Sequence, residues 1–188
     1  VGTGVYKVIK SQEQEMTAKL GCQVKITKIL VRNLEKAAKK VEDTSVLTTN
    51  WDDIAGDPSI DIVIELIGGI EPARTYILSA LKAGKNVVTA NKDLIAVYGK
   101  EILETAGESQ KDFLFEAAVA GGIPIISPLK NSLEANHVTE VMGIVNGTTN
   151  FILTKMSQEG MEFSDALALA TELGYAEADP TADVEGLD

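Results

Sequence analysis

The chain has 188 residues, 45% of them hydrophobic, and a formal net charge of -11 at pH 7. That size and composition support a substantial buried core in one domain, or one domain plus part of another. The acidic balance offers no basic face to a phosphate backbone or an anionic lipid surface, so neither nucleic acid nor a membrane is an expected partner. No apolar run has the length of a membrane span, and Val1 opens neither a signal peptide nor an ordinary initiation site. The single Cys22 excludes an internal disulfide and fits a reducing, cytoplasmic setting.

Residues 5–20 predict a helix with Val5, Val8, Ile9, Met16 and Leu20 on an apolar face, stopped at Gly21. Val24, Ile26, Ile29, Leu30 and Val31 suit a strand, and Leu34 to Val41 a short Lys-rich helix. Ile60 to Ile67 is a nearly continuous apolar run ending at Gly68-Gly69, which predicts a strand buried on both faces of a parallel sheet. A helix from Pro72 to Lys82, a strand over Asn86 to Ala90, a helix from about Asp93 to Ala106 and a strand over Asp112 to Glu116 complete a β-α-β-α order. Such alternation predicts an α/β fold, a doubly wound parallel sheet with helices on both faces and ligands at the carboxyl ends of its strands. After Gly121-Gly122 the pattern changes: Pro124 to Leu133 reads as helical, His137 to Val145 as a strand that makes His137 a structural residue, and Thr149 to Gln158 and Phe163 to Leu173 as two helices. The expected domain boundary lies near residue 125.

A doubly wound fold opens with a strand and a glycine turn, and here the first strand is missing. Val1-Gly2 suit the last two positions of a G-x-G-x-x-G dinucleotide fingerprint, although a glycine-rich helix start is the simpler account of them. The second strand ends in Val31-Arg32, where NAD-selective folds carry an acid. A guanidinium at Arg32, with Lys36, Lys39 and Lys40 nearby, suits the 2′-phosphate of NADP, and a solvated basic helix face is the alternative. At the other end, Gly174 to Asp188 gathers five carboxylates in a stretch with too little apolar periodicity to be core. Acids so close together repel unless solvent, a cation or an ammonium group holds them. Their spacing does not match a calcium loop.

Ala90-Asn91-Lys92, the run Glu116 to Pro124 with its Gly121-Gly122, the turn Asn146-Gly147-Thr148-Thr149-Asn150 and the acidic tail occur in the order and spacing of one family. Together they resemble homoserine dehydrogenase over nearly the whole chain. The resemblance implies a Rossmann-like domain lacking its first strand at 1–125 and part of an α+β substrate and dimerisation domain at 126–188. It implies NADPH-dependent reduction of aspartate semialdehyde to homoserine, with NAD as a possible substitute, in a cytoplasmic homodimer of threonine, methionine and isoleucine biosynthesis. Lys92 is implied in the active site and among the cofactor contacts, with Val1, Gly2, Arg32, Ile67, Gly68 and Gly174 on the cofactor side and Ile67-Gly68 near the nicotinamide. A sodium ion is implied at Glu116, Val119, Gly121 and Ile123, chiefly on main-chain oxygens, where an ordinary hinge is the simpler account of the glycines. Glu177, Asp183 and Asp188 are implied to grip the substrate ammonium, Asp188 also positioning the reacting group, while Asn146, Gly147 and Thr148 are possible contacts.

The family's proton-handling lysine falls four residues beyond Asp188, so the chain by itself is expected to be inactive. Two other readings remain open: a non-catalytic nucleotide-binding module, and another NADP-dependent amino-acid or semialdehyde reductase. A semialdehyde dehydrogenase needs a thiol nucleophile near a mid-chain helix start, and Cys22 is misplaced for that.

Overall fold

The computed structural model describes residues 1–176 and 180–186. The chain divides into two compact units, Val1–Glu134 and Ala135–Asp188. In the first, α1 (Gly2–Ser11) and α2 (Glu13–Leu20) lead to β1 (Ile29–Leu30), α3 (Leu34–Ala38), β2 (Leu47–Thr48) and α4 (Asp52–Ala55). Then come β3 (Ile62–Glu65), α5 (Ala73–Lys82), β4 (Asn86–Thr89), α6 (Lys92–Glu108) and β5 (Phe113–Leu114). All strand pairings are parallel, in two sheets of order β1-β2 and β3-β4-β5. The orders β2-β1 and β3-β4-β5 correspond to the 3-2 and 4-5-6 of the doubly wound order 3-2-1-4-5-6, and no strand among the described residues takes its central position.

The core of this unit lies between α5, α6 and the three-stranded sheet. Ala73, Ile77, Ala80 and Leu81 recur at helical spacing on α5, Leu94, Ile102 and Ala106 on α6, and all meet Val87 and Phe113 from the strands. Ile77, Leu81, Leu94 and Ile102 are fully buried. Trp51 stacks on Tyr76 with ring centroids 4.5 Å apart, and its indole N–H donates to Ser79 Oγ at 3.2 Å. Arg74 of α5 holds Glu101 of α6 through two hydrogen bonds and lies 4.6 Å from the centroid of the Tyr98 ring. The buried Lys85 donates to the carbonyls of Asp57 and Ile60, fastening the approach to β3.

Several sequence expectations need correction here. The helix over 5–20 is broken at Gln12, whose ψ of 14° ends α1, and only Tyr6 is buried, its hydroxyl accepting from Glu42 N; Val8 and Leu20 are exposed. The strand of 24–31 shrinks to two residues because its partner β2 is equally short. The run 60–67 is not buried on both faces: Ile62 is 56% and Ile64 42% exposed, since the contacts from α5 and α6 cover the opposite face of the sheet. Pro124 to Leu133 forms only a wide helical turn at Pro128–Ser132.

In the second unit, α7 (Gly147–Glu159), α8 (Phe163–Glu172) and α9 (Thr181–Val184) are the elements among the described residues. The alanines Ala166 and Ala170 let α8 approach Ile152 of α7 closely, with Ala176 closing the cluster. The segment His137 to Val145 is not a strand, and His137 is exposed rather than structural. An alternating pattern needs a partner ladder, and the described residues of this unit contain no other strand; Met142 and Val145 stand 84% and 92% exposed.

Replacing Ile77 by Ala is expected to cost about 2–5 kcal/mol, because it opens a cavity among rigid neighbours. Val97→Ala, on the exposed face of α6, should stay within about 0.5 kcal/mol. Urea unfolding of both variants checks the pair, and equal losses would contradict this placement of the core.

Candidate functional site

The parallel register of β3 and β4 sets Glu65 opposite Thr89, so the two side chains meet at the carboxyl ends of adjacent strands. Glu65 is 4% and Thr89 1% exposed. Glu65 Oε2 accepts from the Thr89 hydroxyl at 2.6 Å, while Oε1 accepts from Ile67 N at 2.6 Å and Gly68 N at 3.2 Å. The chain then turns through Gly68 (φ 78°) and Gly69 (φ 71°), conformations that favour glycine. On the β4 side, Asn91 caps α6 by accepting from Leu94 N, and its amide donates to Gly69 O at 2.7 Å. Asn91 N in turn donates to Thr89 Oγ1 at 3.1 Å. The turn after β3 and the start of α6 are thereby tied to each other.

Lys92 is the first residue of α6 and is exposed. A cation there works against the helix dipole, by about 0.3–1 kcal/mol. Ile67, in the turn after β3, is an exposed apolar residue, 44% accessible.

The other cofactor candidates lie apart along the chain. Val1 is exposed and precedes α1. A Cβ built on Gly2 would meet only Leu66 Cδ1, at 3.9 Å, an ordinary contact, so close helix–strand packing does not demand glycine there. Arg32 is exposed just past β1, where Asn33 caps α3 by accepting from Lys36 N. Gly174, with φ 78°, ends α8 in the left-handed conformation and turns the chain toward the acidic segment.

Glu116 does something the sequence did not announce. Its carboxylate accepts from Ile125 N, Ile126 N and Ser127 N, and from the Ser127 hydroxyl. These donors hold its pKa down at about 2, against an ordinary 4.5, the Ser127 hydroxyl contributing most and the Ile125 amide next. Val119, Gly121 and Ile123 sit on the loop so closed, which bends through Ala120 (φ 58°) and Gly121 (φ 61°). The carboxylate is committed to the loop itself, so a cation here would be left with main-chain carbonyl oxygens, ligands that suit a hard ion. Among the described residues no cluster of three His, Cys, Asp or Glu side chains is arranged to hold a metal.

In the second unit, Asn146 caps α7, accepting from Thr149 N at 2.7 Å, and its amide donates to Asp183 Oδ1 at 2.7 Å. Thr148 donates to Tyr175 O at 2.7 Å. Asn146 and Asp183 share a cavity of about 330 Å³ whose walls include Ile144, Val145 and Leu153. Glu177 and Asp188, the other two carboxylates expected on the substrate side, lie outside the described residues.

The residues that reasoning from sequence passed over are Glu65 and Thr89. A carboxylate interrupting an apolar strand just before Gly68-Gly69 was the available signal, but its partner is fixed by strand register, which a single sequence does not display.

The family model described as "Homoserine dehydrogenase, NAD binding domain" matches residues 1–116, and that described as "Homoserine dehydrogenase" matches residues 124–188. Homoserine dehydrogenase of Bacillus subtilis is 52% identical over 188 residues, all of this chain and 43% of that protein. The Lactococcus lactis enzyme of the same name is 48% identical, with 44% of its length covered. A crystal structure of a homoserine dehydrogenase from Thiobacillus denitrificans superposes with a TM-score of 0.90 at 49% identity, covering 100% of this chain and 43% of that one. A hyperthermophilic archaeal homoserine dehydrogenase in complex with NADPH gives a TM-score of 0.77 at 28% identity, covering 100% and 62%. The chain thus spans less than half the length of the curated relatives it matches.

Because the Glu116 pKa is depressed in the fold, its stabilisation is fully present above the ordinary value of 4.5 and is lost as pH falls toward about 2. The thermal-stability gap between wild type and Glu116→Gln is therefore expected to be widest near neutral pH and to close across that window. A gap that is constant from pH 7 to pH 2.5, followed by thermal denaturation, would contradict the loop-latching role.

Proposed function

The chain belongs to the homoserine dehydrogenase family, and from that premise we propose that it supplies the cofactor-binding part and some of the substrate-binding residues of an NADPH-dependent reductase that converts aspartate semialdehyde to homoserine. A nicotinamide cofactor is supported by the family model over residues 1–116. The observation that carries the reading is the pair of ligand-side loops after β3 and β4, locked together with Lys92 at the head of α6. That is the place where open parallel sheets take their ligands.

When bound, the cofactor supplies a hydride. Lys92 holds an ammonium toward the ligand side of the sheet and suits a ribose, a phosphate or the substrate's own carboxylate. Ile67 and Gly68 present an apolar, close-approach surface for the nicotinamide. Val1, Gly2 and Gly174 are proposed as further backbone contacts to the cofactor. Arg32 offers a guanidinium for a 2′-phosphate, which favours NADP over NAD.

Asp183, oriented by Asn146, accepts hydrogen bonds from the substrate ammonium, and Glu177 and Asp188 share that task. Asp188 is proposed also to position the reacting carbon. A sodium ion is proposed at the carbonyls of Glu116, Val119, Gly121 and Ile123; the glycine-bent loop closed by the Glu116 side chain supports it. The functional boundary is proposed near residue 125, with 1–125 serving the nucleotide and 126–188 the substrate, and the change of family model between residues 116 and 124 supports this. A homodimer and a cytoplasmic location complete the proposal. No helix among the described residues is long and apolar enough to cross a membrane.

Oxidation of homoserine by the full-length protein, followed as NADPH absorbance, tests the reading; the expected outcome is turnover with homoserine and NADP, and no nicotinamide reduction above background would sink it. Arg32→Asp is expected to lower kcat/KM for NADPH by about 10- to 100-fold, the worth of a lost charged hydrogen bond, while NADH is spared. Equal losses with both cofactors would remove Arg32 from the 2′-phosphate.

A further inference from the structure

Glu65 lies on none of the surfaces to which a ligand role has been given, yet it is a buried, fully hydrogen-bonded acid at the carboxyl edge of the sheet. A buried carboxylate on a core strand is an expensive choice if stability alone is at stake, because an aliphatic residue of similar size would need no hydrogen-bond partners. Glu65 has three donors, and each belongs to a ligand-side element: Ile67 N and Gly68 N from the turn, and Thr89 Oγ1 from the end of β4. Thr89 passes the constraint to Asn91 N, and the Asn91 amide returns it to Gly69 O. The result is a chain of hydrogen bonds, Glu65–Thr89–Asn91–Gly69, closed into a ring through the backbone by Gly68 N on Glu65, in which three side chains are at most 7% exposed.

The ring also decides which part of a ligand the turn can receive. Successive backbone N–H groups at a turn with left-handed residues form a concavity that takes anions. Here the chain's own carboxylate occupies it, since both N–H groups point at Glu65 Oε1. A phosphate would compete with Glu65 for the same donors and meet its charge, whereas a ring without negative charge does neither.

We infer that Glu65 is a positioning residue, which with Thr89 and Asn91 sets the turn Ile67–Gly69 against the head of α6 and reserves that turn for the nicotinamide end of the cofactor, which carries no negative charge. This rests on the nicotinamide reading proposed above. It adds the element that fixes the geometry and the polarity of the subsite.

The test uses the full-length protein and NADPH, with affinity read from the change in NADPH fluorescence on binding, alongside KM for both substrates and the melting temperature. Thr89→Val keeps the shape and removes the hydroxyl that links Glu65 to Asn91. It is expected to weaken NADPH binding by about 10-fold, the size of one lost internal hydrogen bond, with KM for homoserine within about twofold. Glu65→Gln should weaken it in the same selective way, and Thr89→Ser, which restores the hydroxyl but not the methyl group, should recover most of the affinity. If Thr89→Val lowers the melting temperature but leaves NADPH affinity unchanged, or if Thr89→Ser is as impaired as Thr89→Val, the positioning role is overturned. Should wild-type protein itself fail to bind NADPH, the nicotinamide reading falls, and this inference with it.

Discussion

The register of β3 on β4 is the constraint from which the rest of the site follows. Because the strands are parallel and Glu65 pairs with Thr89, the two chains leave the sheet side by side at the same height. Their side chains then bond across the gap rather than to solvent. A slip of one residue would turn Glu65 to the opposite face and take it away from the Thr89 hydroxyl. What holds the register is the apolar packing of α5 and α6 on Val87 and Phe113, so the buried helix faces and the polar ring specify one another.

The same economy recurs in two other places. Glu116 closes its loop by collecting the amides of residues 125–127, and Asn146 both caps α7 and orients Asp183. In each case a polar side chain satisfies backbone groups and, in doing so, sets the direction of a neighbouring residue with a proposed ligand role. Under the proposed function the acidic tail is then only partly a matter of charge. Asp183 is held by an amide in a mostly apolar cavity, which strengthens its attraction for an ammonium group relative to a carboxylate in open solvent.

Much of the first unit was legible in the sequence. The helix read over Pro72 to Lys82 is α5, and the alternation of strand and helix gave the parallel sheet. The failures among the strands have a common physical origin. Ile60 to Ile67 and His137 to Val145 carry strand patterns, but a strand's extent and burial depend on partners that its own residues do not reveal. Ile62 and Ile64 stay exposed where no helix covers them, and residues 137–145 pair with no described strand. Glu65 was hidden for a related reason, since its meaning lies in the register with Thr89. The motifs around Asn91 and Asn146 were visible, but which atom capped which helix was not, because several polar residues in a row can serve as a cap.

A crystal structure of the full-length protein with NADPH tests the central claim most directly, since it shows where the cofactor's nicotinamide end lies relative to the ring of Glu65, Thr89 and Asn91. The account predicts the nicotinamide against Ile67 and Gly68 beside Lys92, with Glu65 still bonded to the turn. A phosphate in the turn with the Glu65 carboxylate displaced, or a cofactor bound away from the ends of β3 and β4, would contradict it.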